Sequence, residues 1–278
     1  MSEIKKGDIV SRKSYNHDVL FSVKNIIKIN NKRVAILRGL VERVVADSPI
    51  EDLKIADRTL VKNCLKNFDN KLEDRIQRKN NSSYKIGIIT KDSRTGEKLL
   101  TGKILHLDGD KKYAQKSYYY YKKLGLNAVV KTIPEYKQPK SIYSLLKIYK
   151  PDVLVITGHD GMIKRGTDYF DLYNYRNSRH FVETVKEARK YDAETGSKLV
   201  IFAGACQSYF EALISAGANF ASSPARILID FMDPLIVAEK VATTEKYKYI
   251  TIDDIARELR DGKKGVDGIG SNGKMTHK

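Results

Sequence analysis

The chain has 278 residues, enough for one large domain or for a medium domain with a small companion. Hydrophobic residues make up 41% and supply a core, while no apolar run reaches membrane-span length and the charged N-terminus lacks a secretory signal's apolar segment. Two cysteines exclude a disulfide framework and predict an intracellular protein, and a net charge of +17 predicts attraction to nucleic acid, anionic protein or acidic polymer.

Residues 1–55 read as a small all-β module. Ile9-Val10, Val19-Leu20-Phe21-Ser22-Val23 and Val34-Ala35-Ile36-Leu37 are short β-rich runs, with Asn30-Asn31 and Arg38-Gly39 as turn signals. Four or five strands at this spacing predict an SH3-like barrel, which serves either as a binding module or as a cap. Residues 56–83 are polar and charge-mixed. Leu60, Val61, Leu65, Phe68 and Leu72 recur at helical intervals before the break at Asn80-Asn81-Ser82-Ser83. This predicts a helix and a charged linker, with Cys64 on the apolar side and Arg75, Arg78 and Lys79 open to a protease that cuts after basic residues.

Over residues 84–278 strands and helices alternate. Lys85-Ile86-Gly87-Ile88-Ile89 reads as an early edge strand, and Lys103-Ile104-Leu105-His106-Leu107 as a clearer strand ending in Asp108-Gly109-Asp110. A helix over 111–124, a strand over 128–132 and a helix opened by Pro139 follow, and Pro151 stops the last of these. Then come a strand ending at His159, a long loop over 161–178, a helix over 179–192 and a strand ending at Cys206. This order predicts an α/β domain with right-handed crossovers and a parallel sheet covered on both faces. Gly268-Ile269-Gly270-Ser271-Asn272-Gly273 has dinucleotide-fingerprint spacing, but without a preceding strand it reads as part of a flexible tail.

Two apolar runs carry the chemistry. Val153-Leu154-Val155-Ile156-Thr157-Gly158-His159 and Leu199-Val200-Ile201-Phe202-Ala203-Gly204-Ala205-Cys206 have the β-branched, uninterrupted pattern of strands buried on both faces. Side chains at the carboxyl ends of such strands face the crevice where ligands bind. An imidazole and a thiol delivered to one edge are the minimum apparatus of thiol nucleophilic catalysis. His159-Asp160-Gly161 predicts a surface loop. A helix over Gln207–Ala216 would place the Cys206 thiol at its N-terminus, where the macrodipole lowers its pKa. His106 reads as a core residue, and His17 and His180 show no metal spacing. Neither a metal nor a cofactor is expected.

The apolar-run-His-x-Gly and apolar-run-Ala-Cys pair resembles the caspase-like cysteine peptidases, such as caspases, legumain, clostripain and gingipains. Their histidine and cysteine follow the third and fourth core strands, as His159 and Cys206 do when counting starts at strand 103–107. The whole chain is more closely similar to the YabG family of sporulation-specific peptidases. That match is carried by Gly7-Asp8-Ile9-Val10, Ser11-Arg12-Lys13-Ser14-Tyr15, Gly102 through Asp110, Ile156-Thr157-Gly158-His159-Asp160, Arg179 through Val185, Val200 through Ser208, and Ala216 through Pro224. The resemblance implies a caspase-like core and a mother-cell cysteine endopeptidase acting on spore-coat and related precursor proteins, with spore-coat association a further expectation.

Where caspase-like peptidases usually carry glycine after the histidine, this chain has Asp160. The expected oxyanion donors are therefore the N–H of Cys206 with that of Gly161 or Asp160. Asp160 is also a candidate to orient the imidazole. The family's specificity pocket maps onto Asp108 and Asp110, Gly204, and Ser222-Ser223. A carboxylate among small residues there implies cleavage after arginine or lysine. The alternative role for Asp108 is to cap the 111–124 helix. From a different class, a basic nucleic-acid-binding or spore-scaffold protein with a structural Cys206 would bind in a steeply salt-dependent way.

Overall fold

The computed structural model describes residues 3–81, 99–163 and 168–277, and the edge strand expected over 85–89 lies outside them. Strands β1 (Ile9–Arg12), β2 (Leu20–Ile29), β3 (Lys32–Gly39), β4 (Val45–Pro49) and β5 (Leu53–Ile55) form an antiparallel sheet in the order β4-β3-β2-β1-β5. Between β2 and β3, Asn30 and Asn31 both take positive φ, 46° and 63°. That is the two-residue turn whose twist suits a hairpin, and asparagine tolerates it better than most residues. The inner face buries Val10, Phe21, Val23, Ala35, Leu37 and Leu53. Cys206 and Ile229, distant in sequence, pack into the same cluster.

Helix α1 (Arg58–Asn81) follows. Its Phe68, Leu72 and Ile76 are buried against the main core, and the Phe68 ring lies 4.4 Å from that of Phe231. Arg75, expected in the open, is buried instead. It donates to Tyr120 and pairs with Glu239 at 3.1 Å and Glu258 at 2.9 Å, while Lys79 reaches Glu239 at 2.8 Å. Arg78 is exposed as expected.

The remaining elements are β6 (Leu99–Leu100), β7 (Ile104–Asp108), α2 (Lys111–Lys123), β8 (Ala128–Thr132), α3 (Gln138–Tyr149), β9 (Val153–Thr157), α4 (Ser178–Thr195), β10 (Val200–Ala203), α5 (Phe210–Ser215), β11 (Phe220–Ser222), α6 (Asp233–Thr243), β12 (Tyr249–Ile250), β13 (Val266–Gly268), β14 (Ser271–Asn272) and β15 (Thr276–His277). The main sheet runs β13-β11-β10-β9-β7-β8, parallel except for β13. Alternation along its strands fills both faces. Val153 and Val155 of β9 join the cluster under α1, α2 and α6, and Leu154 and Ile156 join the cluster under α3 and α4. Each such side chain contributes about 1.5–3 kcal/mol by leaving water.

The chain leaves β7 toward one side of the sheet and β9 toward the other, so a crevice opens between their carboxyl ends, where open α/β sheets bind ligands. The expected C-terminal tail is instead ordered: β13 pairs with β11, and β14 with β12. The Gly268–Gly273 stretch serves turns between these strands. Among the described residues, no helix is long and apolar enough to cross a membrane.

Candidate active site

β9 and β10 are hydrogen-bonded neighbours with Ile156 opposite Ala203, so His159 and Cys206, each three residues further on, leave the sheet at one level. Gly204 turns the chain at φ 111°, and a Cβ there would lie 2.5 Å from the Ser222 hydroxyl. Ser222 Oγ donates to the Ala205 carbonyl, Ser208 Oγ accepts from the Ala205 N–H, and Ser223 Oγ donates to the Ile227 carbonyl. Gly204, Ser222 and Ser223 thus brace the turn that presents Cys206.

The helix expected directly after Cys206 begins only at Phe210. A turn intervenes, so the thiol does not sit on a helix N-terminus. It accepts from the Ile229 N–H at 3.4 Å and is hydrogen-bonded by the Arg43 backbone. Burial dominates and pushes its pKa up to about 12, the reverse of the shift expected from the sequence.

His159 is fully buried rather than on a surface loop. Its N–H donates to Glu135 Oε1 at 2.8 Å, and its carbonyl accepts from Asn177 Nδ2 at 2.7 Å, which fixes the backbone. The Tyr113 ring lies 5.5 Å from the imidazole, and Asp110 Oδ2 is 3.8 Å from Nε2. Among the described residues neither ring nitrogen has a hydrogen-bond partner. Burial, with the Arg38 charge nearby, pushes the imidazole pKa well below its usual range, so the ring is neutral.

Asp108 is not the helix cap. Asp110 takes that role, its carboxylate accepting from the Lys112 N–H at 2.8 Å. Asp108 is fully buried at the end of β7 and grips the guanidinium of Arg43, Oδ2 to Nη1 at 2.5 Å. Burial alone would raise its pKa. Arg43 and His106 more than offset that, and the carboxyl is held well below the usual carboxylate range.

Arg43 comes from the loop between β3 and β4 and is itself 0% exposed, its guanidinium 4.5 Å above the Tyr113 ring. The segment that carries it runs along the loop after β9. Asp160 N–H donates to the Arg43 carbonyl at 3.2 Å, and Val45 N–H donates to the Asp160 carbonyl at 2.8 Å. Val44 and Asp160 form a parallel bridge. Beside this segment lies a cavity of about 420 Å³ bordered by Arg12, Phe21, Val44, Val45, Met162 and Gln207.

The Asp160 side chain points away from the imidazole. Its carboxylate accepts from the Gly161 and Asn177 N–H groups and from the hydroxyls of Ser178 and Ser208, at 2.5–2.9 Å. Burial outweighs those bonds and raises its pKa to about 6. Gly161 N–H is therefore engaged, whereas the backbone N–H of Asp160 faces a carbonyl. His106, as expected, is a satisfied core residue, with Nδ1 on Tyr121 and Nε2 on Thr157.

A family model described as YabG peptidase U57 matches residues 5–278. The chain belongs to the YabG peptidase family. It is 39% identical over 278 residues to the sporulation-specific protease YabG of Bacillus subtilis (strain 168), an alignment covering 96% of this chain and 94% of that relative. A solved structure, the receiver domain of the histidine kinase CKI1 from Arabidopsis thaliana complexed with Mg2+, aligns with 42% of this chain and 79% of its own. At 14% identity and a TM-score of 0.29, that likeness carries no argument.

In this YabG family member, sequence reasoning missed Arg43, Tyr113 and Glu135. Arg43 gave no local signal, since one arginine in a loop of a basic chain looks solvated and its carboxylate lies 65 residues away. Glu135 left a trace in its neighbours: a Cβ on Gly109 or Gly158 would meet its carboxylate at 2.2 or 2.4 Å.

Proposed function

We propose that the protein is a sporulation-associated cysteine endopeptidase that cuts proteins after arginine or lysine, with Cys206 as nucleophile and His159 as its proton-transfer partner. The observation that carries this is Asp108: a buried carboxylate holding a guanidinium in the crevice where His159 and Cys206 leave the sheet. The strand order, with the imidazole after the third strand and the thiol after the fourth, supports a caspase-like core. The five-stranded sheet is read as an SH3-like barrel docked on it.

In this reaction the Cys206 sulfur attacks the scissile carbonyl and its proton passes to His159. The imidazole then protonates the leaving amine, and water hydrolyses the thioester. The Asp160 N–H is the oxyanion donor on the histidine side, with the Cys206 N–H its counterpart. Asp110, 3.8 Å from the imidazole without hydrogen-bonding it, belongs with Asp108 to the acidic lining proposed for the pocket. The relationship to a sporulation-specific protease supports protein substrates in a sporulating cell, and spore-coat and related precursor proteins of the mother cell are the class proposed.

Peptides differing only in Arg, Lys or Ala before the cut test this. Cys206→Ala and His159→Ala are expected to lose at least about 100-fold in kcat/KM, the lower bound for acid–base catalysis. Asp108→Asn, which keeps the side chain's shape, should lower the preference for Arg over Ala by about 10- to 100-fold, the loss of one charge-assisted hydrogen bond. Undiminished cleavage by both dyad variants would reject the mechanism.

A further inference from the structure

The crevice of this protein is filled by its own chain, and every contact made there is one an arginine substrate would need. The Arg43 guanidinium sits on Asp108, its ring-facing side lies over Tyr113, its carbonyl takes the Asp160 N–H, and its backbone reaches the Cys206 thiol. The chain beyond it pairs with the Asp160 carbonyl, as the segment after a cut site would. A buried arginine whose Nε and Nη2 have no hydrogen-bond partner among the described residues is costly as a purely structural device.

We propose that the Arg43–Val44 peptide bond is the protein's own first substrate: Cys206 cuts it, and the cut frees the Asp108 pocket for basic residues of other proteins. The proposal rests on the peptidase reading above and adds a site, an order of events and a reason for latency. The Cys206 sulfur bonds to the Arg43 carbonyl carbon and the bond to the Val44 nitrogen breaks. The thiol proton travels through His159 to that nitrogen. Water then cleaves the thioester, leaving an Arg43 carboxylate, a Val44 amine and the free thiol. Of the linker's arginines, Arg75 is buried in ion pairs and is not a competing site, whereas exposed Arg78 is the alternative that a new N-terminus at Lys79 in place of Val44 would reveal.

The full chain and its Cys206→Ala variant are incubated together with an arginine peptide reporter, and intact mass, N-terminal sequence and reporter hydrolysis are followed in time. The expected result is fragments 1–43 and 44–278 from the wild type, with a new N-terminus at Val44 and reporter hydrolysis rising as they form. Cys206→Ala should stay whole over at least a hundredfold longer incubation. Arg43→Gln should likewise resist cutting at this bond. Because that variant leaves Asp108 buried beside a neutral amide, its fold is checked by circular dichroism, and the wild-type comparison with Cys206→Ala decides the matter without it. Reporter hydrolysis at full rate by a chain still intact at 43–44 would overturn the self-cleavage and leave the peptidase reading standing. Fragments that form equally in Cys206→Ala would also overturn it. Failure to cut both reporter and chain would reject the peptidase reading and this inference with it.

Discussion

A thiol with its pKa near 12 is almost wholly protonated at neutral pH, and the buried His159 imidazole, being neutral, supplies no positive charge to stabilise a thiolate. Both conditions come from burial, which for Cys206 is the work of the N-terminal sheet and Ile229, and exposure to water would return each group toward its ordinary range. Cys64, half-buried on α1, is the internal control. Brief iodoacetamide treatment at pH 7.5 is expected to alkylate Cys64 before Cys206 in the intact chain, with Cys206 gaining reactivity by at least tenfold once the Arg43 segment is displaced. Peptide mapping by mass spectrometry reads both sites, and equal early labelling would contradict the closed arrangement.

The elements around the site are held by charges that carry their own signatures. Glu239 of α6 is buried against Arg75 and Lys79 of α1 and accepts the hydroxyl of Tyr120 from α2. Removing one partner of such a group strands the others, so Glu239→Ala should cost about 3 kcal/mol in urea unfolding. Asp233, at the start of α6, has its pKa raised to about 7 by burial and by the nearby Asp230. Its ordinary value is 3.8, so between about 4 and 7 the folded chain holds a proton that the unfolded chain releases. Its contribution is therefore full at low pH and declines as pH rises through 7. Asp233→Asn should match the wild type in melting temperature near pH 4 and exceed it increasingly up to pH 7, and a constant offset would argue against this ionisation.

At this scale the sequence was legible where the signal was local. The apolar runs of β9 and β10, the hairpin asparagines and Pro139 at the start of α3 each act through near neighbours, and strands and helices appear where they direct. The polar character of α1 concealed that it docks on the core, because its buried face includes Arg75, whose partners lie in α2, α6 and beyond. The turn after Cys206 was read as helix because Gln207 through Ala216 has helical composition, yet Gln207 takes φ 55° and its N–H bonds the Ile227 carbonyl. The cover over Cys206 and the loop after β9 depends on one sheet docking on another, which no periodicity records.

For the molecule as a whole, a net charge of +17 attracts acidic partners, while Asp108, buried against Arg43, is the anion that the proposed specificity assigns to basic side chains. Those two preferences act on different parts of a substrate. Raising salt from 50 to 300 mM should raise KM for acidic proteins with an arginine cut site by several-fold and leave kcat for short neutral arginine peptides within about twofold, since exposed charges are screened and the buried pocket is not. Equal salt sensitivity of both substrates would place recognition on the surface.

The strand order of the N-terminal sheet sets what a break after Arg43 would release. β1, β2 and β3 lie before that bond and β4 and β5 after it, yet β4 pairs with β3 along Val34–Arg38 and β5 pairs with β1 along Val10–Arg12. A nick there would sever a covalent tether without undoing the ladder, and the product would be a two-chain complex held by fragment complementation. The halves should co-elute on gel filtration, part in urea and reassemble on dilution. Residues 1–43 would then persist as a subunit in place of a discarded leader, keeping Phe21 and Val10 in the cluster that packs Cys206 while the freed carboxylate of Arg43 is exchanged for the next chain to be cut.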